Sequence, residues 1–210
     1  MSEARAGSIE SVVFDLGGVL LDWNPRHLYR KLFPGDEPGM ERFLARICTP
    51  AWNTELDRGQ PFAEAIAQRQ AEYPEWAGQI AAYRARWIEM IAGCLEETVK
   101  LLAELRSGGV PIYALSNWSA ETYPEARAQY DFLGWFRGVL ISGEVGLAKP
   151  DPAIYRLLCD RFDLAPTTTL FVDDSAPNTE AARDLGFQVE VFQGAEPLRT
   201  RLVSAGLLGS

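Results

Sequence analysis

The chain has 210 residues, 47% hydrophobic and 23% charged, and its 20 lysines and arginines against 29 acids leave a net charge of −9. That balance argues against nucleic acid or an anionic membrane as the main partner, so a phosphate-bearing ligand would need local positive charge from a side chain or a metal ion. A chain of this length buries roughly 70% of its unfolded surface and needs no disulfide staples. Cys48, Cys94 and Cys159 have no metal-like or redox spacing and read as apolar residues of a reduced protein. The opening MSEARAGSIE has no apolar core of a signal peptide, and no long uncharged apolar span follows, so a soluble, cytoplasmic protein is expected.

The first element is the apolar run SVVFDLGGVLLD, residues 11–22. Its Val12-Val13-Phe14 core does not alternate with polar residues and predicts a strand buried on both faces. Residues 25–95 show no convincing strand and read as amphipathic helices over NPRHLYRKLF, GMERFLARIC, PFAEAIAQRQAEY and WAGQIAAYRARWIEMIAGCL. In the last of these Trp76, Ile80, Tyr83, Trp87, Ile91 and Cys94 form one helical stripe. From residue 96 helix and strand alternate. EETVKLLAELRSGG is a helix, VPIYALSN a strand, SAETYPEARAQY a short helix and FRGVLIS a strand. DPAIYRLLCDRF follows as a helix, with Asp151 as N-cap and Pro152 in its first turn. TTTLFVDD is a third apolar strand, SAPNTEAARDLG a helix and FQVEVF a last strand before a terminal helix. The pattern predicts an α/β protein, a Rossmann-like parallel sheet with helices on both faces. The expected division is a core of residues 1–20 and 96–210, interrupted by a helical insert over 21–95.

Three apolar strands end in polar residues: Asp15, Ser116-Asn117 and Asp173-Asp174. In a parallel sheet these ends share one edge, where open α/β folds bind ligands. The carboxylates repel unless a cation or a proton intervenes, and hard oxygens of this kind suit Mg²⁺. Lys149, in GEVGLAKPDPAIY, can supply positive charge. Its loop is expected at that edge only if the preceding strand runs antiparallel or the connecting segment is long. Neither a Walker A run nor a GxGxxG fingerprint is present, so nucleotide binding by those routes is not expected.

Asp15 in VVFDLGGVL, Ser116 in ALSN, Lys149 in AKPD and FVDD at 171–174 resemble, in order and spacing, the four motifs of the haloacid dehalogenase-like (HAD) hydrolase superfamily. The resemblance spans nearly the whole chain, and the insert after the first motif resembles that family's first class of helical cap. It implies Asp15 as nucleophile, forming an aspartyl-phosphate, with Ser116 and Lys149 holding the transferring phosphoryl group. It implies Mg²⁺ held by Asp15, the backbone carbonyl of Gly17 and Asp174, with Asp173 direct or through water. Asn117 is expected as a further donor, Trp118 near the mouth of the site as a substrate or packing contact, and Asn178 behind the metal ligands.

One departure stands out. The phosphatases of this family read Asp-x-Asp, the second Asp protonating the leaving oxygen and then activating water; here that position is Gly17, and the usual Thr two places on is Val19. General acid–base help is typically worth ~10²–10⁴ in rate, so its loss must be offset or tolerated. Three readings stay open: a phosphatase of a small phosphorylated metabolite, sugar phosphates among the candidates; a 2-haloacid dehalogenase using Asp15; or a catalytically weak binding protein. The acidic pair Asp173-Asp174 favours Mg²⁺-dependent phosphoryl chemistry, since it would repel an anionic haloacid. His27, the sole histidine, and Asp22 are outside candidates for a substitute acid. Arg26, Arg30 and Arg46 are candidate contacts for an anionic substrate in the insert.

Overall fold

The computed structural model describes residues 8–209, so most of the N-terminal stretch read above lies outside the described residues. Strand β1 (Ser11–Phe14) occupies the centre of a five-stranded sheet of order β5-β4-β1-β6-β7, with β4 at Ile112–Ser116, β5 at Gly138–Ile141, β6 at Thr169–Asp173 and β7 at Gln188–Val191. All four pairings are parallel, with Val13 opposite both Tyr113 and Phe171. The α/β, Rossmann-like reading holds.

Period-two alternation explains the layering. Val12 and Phe14 face one hydrophobic cluster, which also holds Leu101, Leu102 and Leu105 of the helix Glu96–Ser107 and Leu198 and Leu202 of the helix Ala195–Ser204. Val13 faces the other, with Ile154, Tyr155 and Leu158 of the helix Pro152–Phe162 and Ala182 of the helix Ala176–Asp184. Helices therefore cover both faces, and β1 is buried throughout: Val12, Val13 and Phe14 are apolar, and the Ser11 hydroxyl is bonded to that of Thr169 at 3.0 Å. The Asp151 side chain accepts the Ala153 N–H at 2.8 Å, the N-cap expected there.

The insert differs from expectation in two places. Residues 76–94 are not one helix: a helix Ala77–Ala85 gives way to a 3₁₀ turn, Trp87–Met90, and then to strand β3, Ile91–Cys94. β3 pairs antiparallel with β2, Leu21–Trp23, so strands stand where none was read. The three- and four-residue stripe continues through both because its residues face one core, and a strand this short leaves little periodic signal. The second difference is an unread helix, α3, at Pro50–Asp57, beside α1 (Pro25–Leu32), α2 (Glu37–Arg46) and α4 (Phe62–Glu72). Its start is marked in the sequence: the Thr49 hydroxyl accepts the Trp52 N–H at 3.1 Å, and Pro50 opens the first turn.

From β1 the chain moves to β4 and β5 on one side; from β6 it moves to β7 on the other. The connections of adjacent β1 and β6 therefore diverge, and a crevice opens at the carboxyl ends of these two strands.

Candidate active site

Asp15 follows β1 directly, its N–H still bonded to the Val172 carbonyl of β6 at 2.8 Å. Three donors converge on its Oδ1: the Leu16 N–H at 2.7 Å, the Ser116 hydroxyl at 2.8 Å and the Lys149 ammonium at 3.0 Å. Lys149 is only 3% exposed. Its Nζ also donates to Asp173 Oδ2 at 2.6 Å and to the Leu115 carbonyl at 2.9 Å, which uses all three of its protons. The condition placed on its loop does not apply. β5 runs parallel, so its carboxyl end already lies at the ligand edge, and Lys149 follows after one short helix, Ser142–Val145, before the long helix Pro152–Phe162 carries the chain away.

Asn117 is among the residues lining the cavity over this edge. Its amide is spent on the Lys149 backbone, donating to the carbonyl at 2.9 Å and accepting the N–H at 2.8 Å. It fixes the lysine. Asp173 is fully buried; its Oδ1 accepts the Ser175 N–H at 2.8 Å, and Asn178 reaches both of its oxygens at 3.1 Å. Asn178 thus sits behind the acidic pair, as expected. Asp174 is exposed, so of that pair it offers the more accessible oxygens. Gly18 makes room for it: at φ +75° it adopts a conformation few side chains tolerate, and a Cβ there would stand 2.3 Å from Asp174 Oδ2.

Asp15, Asp173 and Asp174 each bring an oxygen within 4.8 Å of the others. Burial, then the charge of Asp173, pushes the Asp15 carboxyl up to about 6 against the pull of Lys149, and the same two causes raise Asp174. Burial pulls the Lys149 ammonium down, but the adjacent Asp15 and Asp173 charges more than reverse it, leaving it above its ordinary value. Three carboxylates around one ammonium, two of them buried, keep an excess of negative charge at this edge. That donor set fits a hard divalent cation.

Over this edge lies a cavity of about 330 Å³, lined from the core by Asp15, Gly17, Ser116, Trp118 and Asp174 and from the insert by Asn53, Asp57 and Trp87. The Trp118 ring packs on Trp87 at 5.4 Å and its Nε1 donates to Thr122 at 3.1 Å, so it joins core to insert while lining the cavity. Asp57, at the end of α3, was not singled out in the sequence. Nothing in TPAWNTELDRGQ marks one acid over another; only the helix start at Thr49-Pro50, with Trp52 and Leu56 on its buried side, would place Asp57 on the last turn. His27 and Asp22 are not among the lining residues and pair with each other at 3.1 Å.

The haloacid dehalogenase-like hydrolase family matches residues 9–186, and the chain belongs to it. It is a hydrolase. A sesquiterpene phosphatase of Aspergillus oryzae is 26% identical over 185 residues, 85% of this chain and 87% of that one. An (S)-2-haloacid dehalogenase of a Pseudomonas species is 36% identical, but over 93 residues, 44% of this chain and 41% of that one. Among solved structures a HAD family enzyme of Bacteroides thetaiotaomicron superposes with a TM-score of 0.73 at 22% identity, over 93% of this chain and 99% of that one. The same protein in complex with magnesium and inorganic phosphate superposes at 0.68. These likenesses establish the fold.

Proposed function

We propose that this chain is a Mg²⁺-dependent phosphatase that hydrolyses a small phosphomonoester through an aspartyl-phosphate on Asp15. The observation that carries the proposal is the three-donor clamp on Asp15 Oδ1 beside the carboxylates of Asp173 and Asp174. The clamp fixes the carboxylate and leaves Oδ2, which bears none of those bonds, to attack phosphorus in line with the departing oxygen. Asp15, Asp174 and the Gly17 carbonyl would hold the cation, with Asp173 set back by its bonds to Lys149 and Asn178. When bound, Mg²⁺ supplies the positive charge that lets a dianionic phosphoryl group enter this acidic cluster. Ser116 and Lys149 keep Asp15 oriented and offset its charge as the new P–O bond forms.

Residues 21–95 act as a cap that covers the site, excludes water and selects the substrate. A second cavity, of about 730 Å³, lies within this cap and shares Trp23 and Asn53 with the first. Leu44, Ala45, Pro50 and Tyr83 make much of its wall apolar, and Arg26, paired with Glu41, stands at its edge. The phosphoryl group belongs in the smaller cavity and the body of the substrate in the larger. Trp23 Nε1, buried without a hydrogen-bond partner in the described structure, sits where the two meet. An unmet donor of this kind costs free energy until a ligand or water takes it.

Dehalogenation is the weaker reading because the acidic pair opposes an anionic haloacid, and because the phosphatase relative matches over nearly its full length. The test is phosphate release from sugar phosphates, a prenyl monophosphate and an activated aryl phosphate, with Mg²⁺ and with EDTA. Mg²⁺-dependent turnover lost in Asp15→Asn is expected. Halide release from 2-chloropropionate without phosphate release would overturn the reading, and neither release would leave a binding protein.

A further inference from the structure

Cleaving an alkyl phosphate makes an alkoxide, which needs a proton as it leaves, and the acyl-phosphate that remains needs a water stripped of one. Gly17 supplies neither. Among the described residues, the carboxyl groups lining the cavity are those of Asp15, Asp57 and Asp174, and no histidine, lysine or cysteine lines it. Asp15 is consumed as nucleophile and Asp174 is committed to the cation. Asp57 is not part of that cluster and is carried by the cap.

Resting on the phosphatase reading, we propose that Asp57 of the cap is the general acid and base of this enzyme, in place of the side chain missing at Gly17. In the first half-reaction Asp15 Oδ2 bonds to phosphorus, the bond to the ester oxygen breaks, and the Asp57 carboxyl proton passes to that oxygen, releasing the alcohol. In the second, the Asp57 carboxylate takes a proton from water, the water oxygen bonds to phosphorus, and the bond to Asp15 breaks. Phosphate leaves and Asp57 is protonated again. Ester plus water gives alcohol plus phosphate, with the carboxyl restored.

The surroundings of Asp57 are built for holding it in place. Asn53, one turn earlier on α3, donates from Nδ2 to Asp57 Oδ2 at 2.7 Å. The Tyr83 hydroxyl donates to Asn53 Oδ1 at 2.7 Å, which fixes the amide so that its NH₂ faces the carboxyl. The Asp57 carbonyl is tied to the core by the Ser142 hydroxyl, which in turn accepts the Trp118 N–H at 2.9 Å. A cap element is thereby pinned to the loops following β4 and β5. Burial first, and then the facing charge of Asp15, push the Asp57 carboxyl up to about 7, a value at which both protonation states are populated near neutrality. Because the acid arrives on the cap, proton transfer is available only when cap and core are closed together.

The experiment compares Asp57→Asn with wild type, both with Mg²⁺, on two esters of the same phosphate: an alkyl monoester and p-nitrophenyl phosphate. The aryl leaving group needs little protonation. The expected result is a fall in kcat of ~10²–10⁴ on the alkyl ester. On the aryl ester the phosphorylation step should stay within about tenfold, giving a burst of nitrophenolate of one equivalent per chain, since water activation is also lost. Intact-mass measurement should then show the variant accumulating phosphoenzyme during aryl-ester turnover. Equal losses on both esters without a burst, or unchanged alkyl-ester turnover, would overturn the role. Wild type inactive on every phosphate ester would instead overturn the phosphatase reading, and this role with it. Asp57→Ser, which keeps a small polar group but no carboxyl, should repeat the leaving-group pattern if loss of proton transfer is the cause.

Discussion

At the scale of single residues, position in the closed site decides which carboxylates keep a proton. Asp57 is hydrogen-bonded by the neutral amide of Asn53 and faces the charge of Asp15. The consequence reaches folding stability through linkage. With a folded value of about 7 against an ordinary 3.8, Asp57 binds more protons folded than unfolded between those limits. Stability therefore falls as pH rises through that window, by up to about 1.4 kcal/mol per unit, and the difference is constant above it. Asp57→Asn removes the penalty while its amide oxygen can still accept from Asn53. In urea titrations with EDTA, the variant's stability relative to wild type should improve by about 2–3 kcal/mol between pH 5 and pH 8. A relative stability that does not change with pH would show that the carboxyl titrates as an ordinary solvated group. Asp15 was legible in the sequence because an acid ending an apolar strand is costly without a purpose. Asp57 was not, because one acid on an amphipathic helix resembles any other until the fold aims it at the cavity.

At the scale of elements, the sheet was readable and the insert was only partly so, for a physical reason. Buried parallel strands are continuous apolar runs, and β1, β4 and β6 stand out against the helices between them. β2 reads LDW and β3 IAGC, neither a run of bulky apolar residues, so neither stands out from the helical pattern around it. The join between insert and core rests on contacts distant in sequence, and these cannot be read from any local pattern. A Cβ on Gly59 of the insert would stand 3.0 Å from the Gly143 carbonyl of the core, and a Cβ on Gly143 itself would lie 2.5 Å from the Ala120 nitrogen and 2.8 Å from the Trp118 carbonyl, so these three backbone segments approach closely. Beside Gly143, Ser142 bridges the Asp57 carbonyl and the Trp118 N–H. Ser142→Ala strands both groups where water does not easily replace the hydroxyl. The expected cost is about 1–3 kcal/mol in equilibrium unfolding. A cost under about 0.5 kcal/mol, the range of ordinary surface substitutions, would mean that the end of α3 is held by apolar packing alone.

At the scale of the whole molecule, one hydrophobic cluster runs from the sheet through the insert, joining Val12 and Phe14 to Tyr29, Phe43, Trp52 and Tyr83. The apolar framework is thus continuous beneath a site whose charges oppose one another. Folding must bring Asp15, Asp173 and Asp174 within 4.8 Å with Lys149 alone among them, so apolar burial works against electrostatic repulsion until a cation arrives. A cation that binds only the folded state returns stability as RT ln(1 + [Mg²⁺]/Kd), about 2.7 kcal/mol at one hundred times Kd. Asp174→Asn should have opposite effects in the two conditions. Without metal it relieves part of the repulsion that raises the Asp174 carboxyl, so the variant should melt at or above the wild-type temperature. With Mg²⁺ it lacks an accessible charged ligand, so most of the wild-type increase in Tm should disappear. Thermal unfolding of both proteins in EDTA and in millimolar Mg²⁺ reads this crossover directly. A wild-type Tm indifferent to Mg²⁺ would leave the three carboxylates needing protons rather than a metal, and the phosphoryl chemistry proposed for Asp15 would lose its means of admitting a dianion.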